Sequence, residues 1–412
     1  LTENNIFAPQ KNFVNVHLLD CNIIFFYADH VEYISMEKTN GINLGYRVPF
    51  VAWFPPMYKN LSPWKTAGAV TDELIDFEDM APTMLSLAGA DIPAYMKGRI
   101  LAGSHRGKPV NHIIISSDRS DNGIDMVRSV TDGRYVYSRN YMPFIPEARY
   151  IRYMEIGAIK QLMRKDLALG RLNDLQKSLF AERPSEFLFD IDHDIWETRN
   201  LANDPATQTI LKRMRKQLDE EEIRSRDVML LPEYELGLIS VATSPYTYRL
   251  NDTDFPVRSI YAAASLSGKR GKAIAAQQVK LLKSNNKIVR YWAALGLRSQ
   301  SAAILKQNKA AIDAALHDGY PPVAITVAAI AVQTFNDQAA AAVLMTFCKN
   351  HNPMLALMAI NYLLYMPDKK PFVSTIREVY KNKGQLTYDV RAACLDFLGS
   401  MGLVPNDFAH QE

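Results

Sequence analysis

The sequence predicts an α/β portion that passes into an α+β piece and ends in an all-α solenoid. Three observations carry that prediction. Short runs rich in β-formers alternate with amphipathic helical stretches up to about residue 250. Beyond that point the β-rich runs stop and alanine dominates. Within the alanine-rich part, similar apolar segments return every 32–35 residues.

The β-rich runs are NIIFFYA (22–28), RVPFVAWF (47–54), HIIISS (112–117) and RYVYSR (134–139). Between them, ELIDFEDMAPTMLSLAG (73–89) sets Leu74, Phe77, Met80, Met84, Leu85 and Leu87 at mostly i, i+3, i+4 spacing, with Gly89 placed as a C-cap. Two further helices are expected between 155 and 182, and ATQTILKRMRKQLDEEEIRSR (206–226) reads as a charged, exposed helix. In the last part, VRSIYAAAS, VRYWAALGL, VAITVAAIA, LALMAINYL and VRAACLDFL align on Val257, Val289, Val323, Leu355 and Val390. A repeat of that length made of two helices marks a solenoid, in which each unit buries its face only against its neighbours. Small alanines let the helices approach closely, and Pro321-Pro322, Pro353 and Pro367 fall between helices, where proline is tolerated. These units resemble HEAT-like repeats. The expected domains are 1–110, an α/β part; 111–228, an α+β subdomain; 229–250, a linker; and 251–405, the helical repeats.

Composition limits what a motif can mean. A chain of 412 residues has room for two or three domains, and its 48% hydrophobic and 22% charged residues are ordinary for a globular protein. Its 47 basic residues against 44 acidic ones are too balanced to suggest a nucleic acid or a membrane surface as partner. Cys21, Cys348 and Cys394 lie far apart and form neither a disulfide framework nor a CxxC metal site, so they read as small buried hydrophobes. No apolar run is long enough to span a bilayer. The chain opens on Leu1 with no basic n-region and apolar h-region behind it, from which processing or a missing beginning is expected.

The run FFYADHVEYISMEK (25–38) stops abruptly at Asp29 and His30. Both side chains are costly to bury without partners. At a strand's C-terminal end they would sit at the rim, where open α/β sheets place their ligands. A metal or acid/base site is one reading, and a strand running out into solvent is the other.

The surrounding text resembles the sulfatase family of the alkaline phosphatase superfamily. Asp29-His30 ends a strand, Lys38 follows nine residues after Asp29, RVPFVAWFP (47–55) is similar to RVPLIVRWP, DFEDMAPTMLSLAG is similar to VSFVDLAPTLLELAG, and KGRILAG (97–103) is similar to a GRSL turn. The stretch SSDRSDNGIDMVRSVTDGRYVYSRNYMP (116–143) contains a segment like RDRMDE, and RPSEFLFDIDHDIWETRNLANDP (183–205) is similar to PxELYDLxxDPxExxNLA, with Ile195 where Pro is usual. Together these ordered blocks cover roughly residues 17–205.

The resemblance implies a partial alkaline phosphatase-like sheet, a C-terminal sulfatase subdomain and appended repeats. It implies a sulfuric ester hydrolase acting on a sulfate ester or N-sulfate of a sulfated carbohydrate. Its nucleophile is a hydrated formylglycine made from a C/S-x-P-x-R motif, held by a divalent cation, Ca²⁺, which prefers oxygen ligands. Asp29 would be a metal ligand, His30 would lie at the metal and nucleophile, and Lys38 would point its ammonium at the sulfate. Arg119 would face an anionic sugar, or else Asp118, Arg119 and Asp121 would form a local ion-pair cluster supporting the sheet. The loop departs from the family's DHGG, with Val31 at a glycine position, and no C/S-x-P-x-R occurs in the chain. The nucleophile half is therefore expected to be missing and the chain alone inactive. A non-catalytic sulfatase-like binder using its repeats, and a phosphoester or phosphonate hydrolase of the same superfamily, are the alternatives. The repeats would pack on the catalytic domain or bind a polymer or protein, and a periplasmic or extracellular location follows from the resemblance.

Overall fold

A computed structural model describes residues 18–28, 43–64 and 66–410. The first portion begins with a single turn, α1 (Leu18–Cys21), and a two-stranded ribbon, β1 (Ile24–Tyr27) and β2 (Phe50–Trp53). The two strands run antiparallel, with Ile24 opposite Trp53 and Tyr27 opposite Phe50. Alternation explains the pairing: Phe25 sends its ring to Phe50 and Phe54, at centroid distances of 6.0 and 6.3 Å, whereas Phe26 and Val51 face outward and stay exposed.

The helical stretch expected over 73–89 is shorter than its apolar spacing suggests. Asp76 and Asp79 form a capping box, a 3-10 turn covers Phe77–Asp79, and only α2 (Met80–Leu87) is α-helical. The cap starts the helix there, so Leu74 lies upstream of it, with its carbonyl accepting from Arg99 Nη2 at 2.7 Å.

The α+β part is a four-stranded antiparallel sheet in chain order: β3 (Ile113–Ser117), β4 (Val127–Thr131), β5 (Tyr135–Asn140) and β6 (Glu186–Asp190). Between β5 and β6 lie α3 (Arg152–Glu155), α4 (Ala158–Ala168) and α5 (Asp174–Ser178). After β6 comes α6 (Gln208–Ser225), expected as charged and exposed. The correction is that Leu211, Met214 and Leu218, spaced i, i+3, i+7, are buried against Val130, Tyr137 and Leu188 of the sheet. Its many charges mask a narrow apolar stripe.

Residues 229–250, expected as a linker, are folded as α7 (Glu233–Ala242) and α8 (Pro245–Tyr248), and the preceding Leu230 offers its carbonyl to Trp292 Nε1 at 2.8 Å. Ten helices follow: α9 (Val257–Ala264), α10 (Lys272–Leu281), α11 (Lys287–Leu297), α12 (Ala302–Gln307), α13 (Lys309–Ala315), α14 (Pro321–Phe335), α15 (Gln338–Cys348), α16 (Pro353–Leu364), α17 (Val373–Lys381) and α18 (Tyr388–Gly399). Val257 opens α9, and Val289, Val323, Leu355 and Val390 each stand third in α11, α14, α16 and α18; all five are buried. The sequence period thus marks equivalent helix positions. Helices α9, α11, α14, α16 and α18 pack successively on one another, and α10, α13, α15 and α17 flank them.

One apolar core crosses the expected boundary between the sheet and the helices. Met126, Tyr141, Phe144 and Ile145 from the α+β part belong to the same buried cluster as Ile260, Trp292, Tyr362 and Phe397. The Tyr141 and Trp292 rings meet edge to face at 5.5 Å.

Candidate functional site

The turn 97–103 and α2 are built to fit each other. Arg99 N donates to Asp79 Oδ1 at 2.5 Å, Thr83 Oγ1 donates to the Asp79 carbonyl at 2.6 Å, and Leu101 N donates back to Thr83 Oγ1 at 2.8 Å. A Cβ on Gly98 would lie 1.8 Å from the Glu78 carbonyl oxygen, so only glycine passes there. The Arg99 guanidinium is anchored on Glu73 and on the Leu74 carbonyl. The end of β1 sits against this unit, with the Tyr27 ring 5.1 Å from that of Phe77.

Beside this corner opens a cleft of about 910 Å³, lined by Asp76, Glu78, Asp79 and Lys97–Arg99 on one side and by residues 109–114, Asp118, Arg128, Glu222, Asp227 and Arg249 on the other. Its buried arginine is paired. Arg128, almost wholly buried, binds Asp227 Oδ2 at 2.6 Å and Asp118 Oδ1 at 3.0 Å. Burial pulls against the Arg128 charge, but Asp227 and Asp118 outweigh it and hold the guanidinium protonated. Burial likewise pushes Asp118 up against the pull of Arg128. Glu222 accepts the Tyr141 hydroxyl on both oxygens, at 2.8 and 2.9 Å; burial, with Asp227 adding to it, raises its carboxyl to about 8.

Asp29, His30 and Lys38 lie outside the described residues. The structure places Arg119 on the seam with the helices: its Nε donates to Glu233 at 2.8 and 2.9 Å, and its Nη1 donates to Asp389 Oδ2 at 2.8 Å and to the Asp121 carbonyl. The cluster with Asp118 and Asp121 is thus less local than expected, because Asp118 turns to Arg128 and Arg119 reaches α7 and α18. Asn122 ties the same stretch down further. It donates to Asp396 Oδ2 at 2.8 Å, accepts from Arg152 N at 2.9 Å, and its carbonyl accepts from Asn361 Nδ2 at 2.7 Å.

The acidic groups around the cleft do not offer a free cage for a cation. Asp76 caps the Phe77–Asp79 turn, Asp79 serves Arg99, and Asp118 and Asp227 serve Arg128. Among the described residues no group of three or more His, Cys, Asp or Glu converges as a metal site. Sequence reading met Arg128 only inside the RDRMDE-like segment, without its Asp118 and Asp227 partners, and missed Glu222 and Asp227, which lie on distant segments with no spacing signal. The Gly98 contact did have a signal, the GRIL turn itself.

Two residues of the block 183–205 tie it to the sheet and to the loop before it. Arg183 forks onto Asp125 at 2.5 and 3.0 Å, where Arg149 also binds. Asn200 accepts from Leu188 N and donates to the Glu186 carbonyl, both at 3.0 Å, so its amide stitches the chain to the edge of β6.

Comparison with known proteins places these features in a family context. The sulfatase family profile matches residues 16–90. An ulvan-active sulfatase of Formosa agariphila is 35% identical over 236 residues, 57% of this chain and 38% of the relative. A second ulvan-active sulfatase of the same organism is 25% identical over 211 residues, 50% of this chain and 38% of that relative. The chain therefore spans well under half the length of these relatives. The solved structure of a 2-O GAG sulfatase aligns over 50% of this chain and 37% of its own, at 22% identity and a TM-score of 0.32, too low to carry an argument.

Proposed function

We propose that this chain, which belongs to the sulfatase family of the alkaline phosphatase superfamily, forms part of a metal-dependent enzyme that hydrolyses sulfate esters of a sulfated carbohydrate. The observation that supports this reading most is the ordered run of sulfatase-like blocks continuing past the profile match, into the Asn200 stitch and the Gly98 turn. The relatives' name makes ulvan, a sulfated polysaccharide, the first substrate to test.

In this reading Asp29 is a ligand of a Ca²⁺ ion, His30 lies beside it and Lys38 neutralises the sulfate. A bound cation would supply electrostatic stabilisation of the charge that develops on the sulfate oxygens. The formylglycine nucleophile comes from a C/S-x-P-x-R motif that the 412 residues do not contain, so this chain alone is expected to be inactive. The helices α9 to α18 serve as HEAT-like repeats packed on the catalytic body, and the enzyme works in the periplasm or outside the cell. Arg119, clasped by Glu233 and Asp389, keeps its proposed contact with an anionic sugar only at the edge of its guanidinium.

The test is the release of inorganic sulfate from ulvan oligosaccharides by the complete protein, run beside a phosphate ester with the same leaving group. Sulfate release with little phosphate release is expected. Preferential phosphate or phosphonate cleavage would reassign it within the superfamily, and no turnover of either would favour a non-catalytic binder, which Val31 in place of glycine after His30 would suit.

A further inference from the structure

Where the helices dock on the sheet, a small pocket of about 70 Å³ is left between them. Met126, Met142, Met229, Met354 and Met358 line it, together with the rings of Tyr291 and Trp292 on α11. Its floor is buried, with Met126 3%, Trp292 1% and Leu357 1% exposed, whereas Ile124, Pro232, Tyr234 and Met358 are only half-buried and form its mouth. Unbranched thioether side chains adapt to whatever enters such a space.

Every charged group in this lining already has a partner. Asp118 is held by Arg128, Arg119 by Glu233 and Asp389, and Asp125 by Arg149 and Arg183. An ionic ligand would find each counter-charge taken. The polar group left over is the Tyr291 hydroxyl. Tyr291 is 5% exposed, and its hydroxyl has no hydrogen-bond partner among the described residues. Burial pushes that hydroxyl well above its usual range, so it stays protonated and able to donate. A donor left unmade in apolar surroundings is costly, and an acceptor brought to it would be favoured.

Size narrows what fits. An apolar cavity of about 150 Å³ takes a benzene ring, so about 70 Å³ has room for roughly three heavy atoms. Water is a poor occupant, because a buried water needs two to four polar partners and this lining offers one free hydroxyl. Displacing poorly held water with an apolar group gains affinity. Asp118 and Met229 line both this pocket and the large cleft, so the two adjoin there.

We infer that this pocket receives the acetyl group of an acetylated sugar seated at the cleft, with the methyl among the thioethers and the carbonyl oxygen accepting from the Tyr291 hydroxyl. An acetyl group is neutral, has three heavy atoms, and carries one strong acceptor beside an apolar end. Only the choice of a sugar as its carrier rests on the sulfated-carbohydrate reading above.

Saturation-transfer NMR of the full 412-residue chain with N-acetylglucosamine, and with methyl glucoside as the unacetylated control, tests this. The acetyl methyl protons should be saturated at least twofold more strongly than the ring protons, and the control should give little signal. Tyr291→Phe should weaken binding about fivefold, the loss of one neutral hydrogen bond. Leu357→Phe, which fills the pocket, should abolish the acetyl signal; Met358→Phe at the mouth serves if the first variant does not fold. A wild-type chain without acetyl enhancement, as a pocket holding only water would give, would overturn the inference. So would a folded filled variant that keeps the enhancement, or Tyr291→Phe binding as tightly as wild type. Sulfate release from an unacetylated aryl sulfate by the complete protein does not engage this pocket. Its absence alongside preserved acetyl enhancement would sink the sulfatase reading and leave the pocket standing.

Discussion

Gly98 and Asp125 show how much single positions carry. A methyl group on Gly98 would collide with the Glu78 backbone, which cannot move without breaking the capping box of the Phe77–Asp79 turn. Gly98→Ala should therefore destabilise the first portion by roughly 1–3 kcal/mol, the usual cost of overpacking, read as a lower urea midpoint. Asp125 is fully buried between Arg149 and Arg183. Removing a carboxylate from such a site leaves uncompensated charge, so Asp125→Ala should cost about 3–5 kcal/mol; a variant with wild-type denaturation would show that the pair is dispensable. At this scale the sequence was only partly legible. The glycine of the GRIL turn and the Asn200 stitch announce themselves as motif residues. Asp125 and Asn122 look like any polar loop residues, because what fixes their roles is a set of partners up to 274 positions away.

Among the elements, the period of the helical part and the β-rich runs were readable because hydrophobic spacing is local. The start of α2 was not, since a capping box overrode an apolar pattern that continued upstream. The buried face of α6 was obscured for the opposite reason, three apolar residues among many charges. Two carboxyls at the junctions of these elements make stability depend on pH. Glu222 of α6 is raised to about 8 and Asp396 of α18 to about 7, in both cases chiefly by burial. Because their folded-state values lie above the unfolded ones, the folded state holds extra protons. Their contribution is complete below the ordinary carboxylate range and is lost as pH rises through about 7 to 8. The thermal midpoint should therefore fall between mildly acidic and mildly alkaline pH, and Glu222→Gln together with Asp396→Asn should flatten that fall. An equally steep decline in the double variant would place the pH dependence elsewhere.

Across the whole molecule, the sheet and the helices cannot be separated without opening a shared core. Trp292 is buried against Tyr141 and bonded to the Leu230 carbonyl, and Arg152 is enclosed by Asp396, Asn406 and the His410 carbonyl. A chain cut after residue 250 should lose cooperative unfolding, because its sheet would expose Met126, Tyr141, Phe144 and Ile145; a sharp two-state transition in that fragment would show the sheet to be autonomous. A composition shift near residue 250 was visible in the sequence, but the docking across it was not, since contact between distant segments leaves no local pattern. The ribbon of β1 and β2, with Phe26, Val51 and Trp53 exposed, leads directly to the residues on which the functional reading turns. Its most direct test is sulfate release from ulvan oligosaccharides by the complete protein carrying Asp29→Ala, with Ca²⁺ supplied. Turnover at background together with lost Ca²⁺ binding is expected, and unchanged turnover in that variant would remove Asp29 from the site.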